Sequence, residues 1–391
     1  MERKFQKPLS YLERIWLCMD RAFPPYACQI ALEGSGSLDF EKLKSAVEKA
    51  SEANPGSRLV LKGALRKCYW QDSGECPRVQ MVNASQWDGH NGENAPFLRV
   101  RLPYNGPTCE VVYAKADVPR LIFRANHGVM DGMGTFTWME DIFRVLRGEE
   151  PVGSDSMLNE KILVSSLSKR TRKPYPMESI APTGKAAKNE KGVTWKRLSF
   201  NGPQSQLIGK VGNAIAQSAW RYGDGVVRLD IPVDLRLRQG VPRCTGNLSV
   251  ALFVEITKNS TPESITSDIK NQLENKNELI ASEREGCLDL VPLWLLEIGM
   301  KLGARIIHKS GKYSHTVVIT NLGLVDMQKY CGGGFKTETV FAIPPRIDVL
   351  PAFVAIFGSP NRVEVTVSVP NALASDGRLD RLLDDINEAL K

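Results

Sequence analysis

Apolar residues recur at three- and four-residue steps in some stretches of this chain and alternate with polar ones in others. From Lys7 to Met19, Leu9, Leu12, Ile15, Trp16 and Met19 share one helical face, and Ser10 followed by Glu13 supplies a capping box. Asp39 to Asn54 repeats the pattern with Phe40, Leu43, Val47 and Ala50, closed by Asn54-Pro55-Gly56. Thr135 to Arg147 predicts a third helix, with Phe136, Met139, Ile142, Phe143 and Leu146 inward and Gly148 as its stop. Strand patterns lie between them at Gln29–Leu32, Leu59–Leu65, Thr108–Ala114 and Arg120–Asn126. The last is the most regular, with Leu121, Phe123 and Ala125 alternating with Ile122, Arg124 and Asn126.

Past residue 200 the pattern predicts helices at Gln204–Tyr222, Pro262–Asn275, Leu288–Lys309 and Leu379–Leu390. Strands are predicted at Gly225–Val233, Ser249–Thr257, His315–Thr320, Glu338–Ile343, Val354–Ile356 and Val363–Val369. Both halves mix strands and helices without internal repetition. The expectation is an α/β chain of two lobes, residues 1–155 and 198–391, joined by residues 156–197.

Composition narrows the class. With 391 residues, 42% hydrophobic and 24% charged, the chain can bury a core and is neither fibrous nor disordered. No apolar run reaches the ~18 residues of a membrane span, and the polar start lacks a secretory pattern. Eight cysteines without a C-x-x-C pair or zinc spacing read as free thiols in a reducing cytoplasm, with no metal site. The net charge of +7 is one local feature: residues 161–197 hold ten basic residues against two acidic ones. With its prolines and glycines that segment reads as a mobile linker or crossover, and Lys169, Arg170, Arg172 and Lys173 offer a docking strip for an acidic partner. It lacks the interleaved aromatics of a nucleic-acid binder.

Candidate chemistry centres on one of four histidines. His90 lies in a polar loop, His308 on a basic helix and His315 at the start of a strand. His127 follows the most regular strand and precedes an amphipathic helix, in Asn126-His127-Gly128-Val129-Met130-Asp131-Gly132. An imidazole on such a strand-to-helix turn is a candidate general base.

That string resembles the H-H-x-x-x-D-G motif of nonribosomal peptide synthetase condensation domains. It equally resembles the single-His form found across the chloramphenicol acetyltransferase-like superfamily, which includes alcohol acyltransferases. Pro8-Leu9-Ser10 before a helix with Trp16, the turn Asn54-Pro55-Gly56-Ser57-Arg58, Pro232-Val233-Asp234-Leu235-Arg236, Thr245-Gly246-Asn247-Leu248-Ser249 and Thr320-Asn321-Leu322-Gly323 resemble further family segments. The likeness spans nearly the whole chain. It implies an α/β sandwich of two chloramphenicol acetyltransferase-like lobes in a V-shaped pseudo-dimer with a central channel.

The resemblance also implies the chemistry. His127 would deprotonate an amine or hydroxyl acceptor attacking a thioester. Asp131 would form a structural ion pair with Arg236, or with Arg238 in its place. Gly132 would let the backbone approach the channel, and Asn126, Thr320 or Asn321 would face the channel or the developing oxyanion. The donor would be carried on coenzyme A or on a carrier protein's phosphopantetheine, with no tightly bound cofactor. The strip at 169–173 would dock the carrier, and a monomer would suffice. Two departures stand out. Asn126 replaces the first His, and no D-F-G-W-G string is present, which points away from plant-type enzymes. A non-catalytic carrier-binding relative is the alternative. A hydrolase ranks last, since no G-x-S-x-G string occurs.

Overall fold

In the computed structural model, residues 5–64, 67–187, 190–202, 204–238, 240–283 and 291–391 are described. The first half forms β1 (Gln6–Pro8), α1 (Tyr11–Ala22), β2 (Ala27–Gly36), α2 (Phe40–Ala53), β3 (Leu59–Lys62), β4 (Tyr69–Asp72), β5 (Arg78–Asn83), β6 (Cys109–Lys115), β7 (Arg120–Asn126) and α3 (Gly132–Leu146). Then come α4 (Glu160–Leu167), β8 (Thr171–Arg172), β9 (Val193–Asn201), α5 (Leu207–Arg221), β10 (Val227–Asp234), β11 (Ser249–Ile256), α6 (Pro262–Glu274) and β12 (Ala281–Ser282). The chain continues with α7 (Leu293–Ser310), β13 (Val317–Leu324), β14 (Phe335–Ile343), β15 (Phe353–Ser359) and β16 (Arg362–Pro370), and ends in the helix Arg378–Leu390.

Two large sheets organise two lobes. The first runs β14-β2-β7-β6-β5, the second β11-β10-β13-β15-β16-β9. Leu121, Phe123 and Ala125 of β7 join Trp138, Met139, Ile142 and Phe143 of α3 in the first core. Val227, Leu229 and Ile231 of β10 join Val211, Ile215 and Ala219 of α5 and Leu382, Leu383 and Ile386 of the last helix in the second. One face of each sheet is thereby closed by helices, as apolar burial requires.

Several boundaries differ from the sequence expectation for identifiable reasons. α1 starts at Tyr11 because Ser10 caps it: its hydroxyl accepts from Glu13 N while the Glu13 carboxylate accepts from Ser10 N. The residues before it pair instead as β1 with β4. α3 begins at Gly132, three residues early, because Asp131 caps it. The helix predicted at Leu288–Lys309 is found from Leu293, and residues 284–290, including Cys287, lie outside the described ones.

The basic segment is the largest difference. It carries α4, β8 and the start of β9, and Arg197 within β9 is buried between Glu33 at 2.9 Å and Glu364 at 3.2 Å. Leu163 and Trp195 are buried as well, so apolar anchors and a paired cation hold a stretch whose composition alone reads as linker. β14, from beyond residue 330, forms the outer strand of the first sheet, antiparallel to β2. No helix among the described residues is long and apolar enough to cross a membrane.

Candidate active site at the lobe junction

β7 ends at Asn126 and α3 begins at Gly132; the five residues between them carry the candidate chemistry. Asn126 is buried, its Oδ1 accepts from Gly128 N at 3.0 Å, and its carbonyl accepts from Val129 N at 2.8 Å. It thus ties the tight turn from both its main chain and its side chain. The position that holds a His in the resembled motif here has a side chain suited to fastening that turn.

His127 is held by the backbone, its N–H donating to Tyr26 O at 3.2 Å. Its ring stacks on Tyr26, centroids 5.2 Å apart, and lies 5.3 Å from Trp16 of α1. Among the described residues, Nδ1 is buried without a hydrogen-bond partner. Burial lowers the imidazole's pKa below its ordinary value, against the opposing pull of its own carbonyl, Asp131 and Asn247. The ring is therefore neutral at pH 7, the state a proton acceptor needs.

Asp131 is the opposite case. Its carboxylate accepts five hydrogen bonds: Gly134 N at 2.7 Å, Arg236 Nη1 at 3.1 Å and Nη2 at 3.0 Å, Leu248 N at 2.8 Å and Ser249 Oγ at 3.1 Å. Burial alone would raise its pKa, but Arg236 and these donors hold it below the usual carboxylate range. Arg236 is saturated in turn, giving Nε to Cys244 O, Nη1 to Asp234 and Nη2 to Gly246 O. Four of the five donors to Asp131 come from the second lobe, so this acid fastens the lobes together. Arg238 pairs with Glu278 instead.

Glycine explains how the second-lobe loop comes so close. A Cβ on Gly134 would lie 2.1 Å from Thr245 O, and one on Gly56 2.0 Å from Thr245 Oγ1. At Gly132 a Cβ would meet only Leu322, at an ordinary 3.4 Å, so the tight contact between the lobes lies at Gly134 and at the Asn54-Pro55-Gly56 turn.

The remaining candidates separate. Asn321 is exposed and its Oδ1 accepts from Gly323 N, which makes it a turn cap. Thr320 is half-buried, on the same strand face as Leu322, which reaches Gly132. Of the basic strip, Lys169 and Arg170 are exposed but bonded to carbonyls at Ser165 and at Asn275 and Lys276. Arg172 is half-buried with its guanidinium 4.3 Å from the Tyr175 ring centroid and 4.9 Å from that of Phe253, and Lys173 is exposed.

Three flanking residues were not singled out as site residues from the sequence. Trp16 and Tyr26 wall His127, and the buried Asn247 of the second lobe lies beside its ring and acts on its pKa. Trp16 and Asn247 do fall in segments that carry the family resemblance. Tyr26 carries no sequence signal beyond its place before β2.

No family model matches the chain, and no curated protein does. Solved structures do. The first condensation domain of the calcium-dependent antibiotic synthetase, in complex with a substrate analogue, aligns with a TM-score of 0.69 at 12% identity, covering 98% of this chain and 95% of that one. The starter condensation domain of rhizomide synthetase RzmA, a single-site mutant in complex with C8-CoA, aligns at 0.68 and 12%, covering 99% and 95%. The condensation domain of the monacolin K polyketide synthase MokA aligns at 0.65 and 11%, covering 98% and 96%. This chain has the condensation-domain fold. At these identities the likeness concerns architecture, and the two lobes are those of that fold along nearly the whole chain.

Proposed function

We propose that this protein transfers an acyl or aminoacyl group from a thioester to an amine or hydroxyl acceptor, with His127 as general base. The observation that carries this reading is the contrast within one turn: an imidazole that burial keeps neutral at pH 7, four residues from an acid fully occupied in holding the lobes together. His127 takes the proton of the acceptor's N–H or O–H as that atom attacks the thioester carbonyl. The tetrahedral adduct then collapses, the C–S bond breaks, and the sulfur leaves as the thiol with that proton. Positioned proton transfer of this kind contributes ~10²–10⁴-fold in rate. Holding both substrates at one junction supplies a further large share.

The RzmA starter domain has been solved, as a double mutant, with C8-CoA and Leu-SNAC together, a thioester donor and an aminoacyl partner. That supports a thioester donor here, on coenzyme A or on a carrier's phosphopantetheine. Of the oxyanion candidates, Thr320 offers its hydroxyl and Asn321 its amide N–H, the Asn321 Oδ1 alone being engaged by its own turn. Lys169 and Lys173 are the exposed cations best placed to meet an acidic carrier in the cytoplasm, whereas Arg172 belongs to the junction face.

The test is product mass spectrometry. Wild type and His127→Ala are incubated with a panel of acyl-coenzyme A and acyl-carrier thioesters and mixed amines and alcohols. A condensed product that falls at least ~100-fold in the folded variant agrees with the role of a general base. Carrier binding without turnover, indifferent to His127→Ala, would replace this reading with a non-catalytic carrier-binding module.

A further inference from the structure

Beyond the Asp131 anchorage, the second lobe's sheet presents a polar pair that the reaction above leaves unused. Val227, Leu229 and Ile231 of β10 enter the lobe's own core, so Arg228, Asp230, Pro232 and Asp234 lie on the other face. Asp234 shows where that face points: its carboxylate accepts from Arg236, beside Asp131. Ser249, its register partner on β11, donates to Asp131 itself. Asp230 sits four residues back along β10, ~13 Å from Asp234 at strand spacing. It pairs with Phe253 on one side and Val318 on the other. Val318, Thr320 and Leu322 continue the same face of β13 to Gly132. Asp230's charge also bears on Tyr26, the ring stacked on His127.

His315, just before β13, brings its Nε2 to 3.9 Å from Asp230 Oδ2, too far for a hydrogen bond. Asp230 Oδ1 and His315 Nε2 are both buried and, among the described residues, both lack a partner. Two such atoms side by side need an explanation, because buried polar atoms are nearly always satisfied. The side chains as a whole keep 15% and 9% of their surface exposed. His315 Nδ1 lies 2.9 Å from Ser314 Oγ. When that hydroxyl donates to Nδ1, Nε2 carries the proton and is a donor.

The charges nearby decide what can fit. Arg172 stacks on Phe253 and acts on Asp230, and Arg228 acts on His315. Arg172 opposes a cation, Arg228 is already paired with Glu178 and Glu255, and Asp230 when ionised opposes an anion. A neutral group that donates on one side and accepts on the other satisfies both open atoms. We propose that Asp230 and His315 form a subsite for a hydroxyl or carboxamide group of the acceptor, which donates to Asp230 Oδ1 and accepts from His315 Nε2–H. The subsite takes its place in a reaction from the acyl-transfer reading, but binding at it is measured separately. A site built to hydrogen-bond a polar group discriminates strongly against an analogue lacking it, since its buried atoms are then left open.

The direct test uses ¹⁵N-histidine spectra of the full chain, with His315 assigned through His315→Gln. The probes are leucinol, leucinamide and isoamylamine, which share a branched alkyl amine and differ in the second polar group. Leucinol and leucinamide should shift the His315 Nε2 resonance, and isoamylamine should not. Asp230→Ala should weaken leucinol binding at least ~10-fold and Asp230→Asn should restore part of it, the conservative amide keeping an acceptor. Both variants are checked for folding by thermal melting, and His315→Gln gives an independent loss of the same binding by titration calorimetry. With octanoyl-coenzyme A as donor, the wild-type kcat/KM for leucinol over isoamylamine should be ~30-fold or more, carried in KM, and fall toward unity in Asp230→Ala. His315 unmoved by both polar probes would mean that water alone fills the gap and would overturn the subsite. A shift with no product from any acceptor would keep the subsite and overturn the transferase.

Discussion

His127 and Asp131 lie one turn of chain apart and have been given opposite surroundings. The carboxylate accepts five hydrogen bonds, four of them from the other lobe, while the imidazole keeps a buried nitrogen without a partner among the described residues. Saturation on this scale fixes geometry and leaves nothing for a substrate. A neutral ring walled by Trp16 and Tyr26 keeps its lone pair free but gains little fold stability from its polar atoms. One short motif therefore contains a fastener and a reagent, and the two should fail differently when altered.

The largest difference is expected at His127. Replacing it by alanine should lower product formation by ~10²–10⁴-fold while the melting temperature stays near that of wild type. In wild type, kcat/KM should hold through neutral pH and fall on the acid side only below the ordinary imidazole value, because burial has lowered the ring's pKa. An acid limb centred above pH ~7 would contradict that surrounding.

Asp131→Ala should reverse the pattern. It leaves Arg236 buried without its main partner, a change that costs ~3–5 kcal/mol in denaturant unfolding. Because the folded carboxyl is held below its usual value, its contribution is present above pH ~4 and is lost as the pH falls through the lowered value. Gly134→Ala comes next. Its Cβ would need Thr245 O, 2.1 Å away, to move, so a loss of ~1–3 kcal/mol is expected, against little change for Gly132→Ala at the same helix start. Equal costs at the two glycines would show that the close approach is not where stability is held.

The smallest effect concerns Asp230. Burial pushes its carboxyl up to about 7, so the folded state holds a proton there that the unfolded chain has released above pH ~4. Stability attributable to this group therefore falls as the pH rises from ~4 to about 7 and is level beyond. Asp230→Asn should remove that slope, and thermal melts should show the variant's advantage over wild type growing by ~1–2 kcal/mol between pH ~5 and pH ~8.

What the sequence disclosed follows the same division. His127, Asp131 and their turn were legible because strand alternation, helix periodicity and a short motif are local signals, and Arg236 followed from a resemblance that names a distant partner. Local patterning cannot say which sheet a strand joins. The alternation of Glu338–Ile343 marks a strand, found as Phe335–Ile343, but its pairing with β2 in the first lobe is set by tertiary contacts. Arg197 looked like linker charge because Glu33 and Glu364, its partners, are far away in sequence. His315 and Asp230 meet only through the register of β10 and β13, and Asn247 reaches His127 only because Gly56 and Gly134 admit its loop. The close contact of Gly134 with Thr245 carries no sequence signal of its own, because it depends on where the second-lobe loop lies.

The division between fastener and reagent is tested most directly by measuring turnover and unfolding free energy together for His127→Ala and Asp131→Ala, using the best donor and acceptor pair from the panel. The account expects His127→Ala to lose at least ~100-fold in single-turnover rate with unfolding within ~1 kcal/mol of wild type, and Asp131→Ala to lose several kcal/mol of stability. A His127→Ala protein that turns over at the wild-type rate would contradict it.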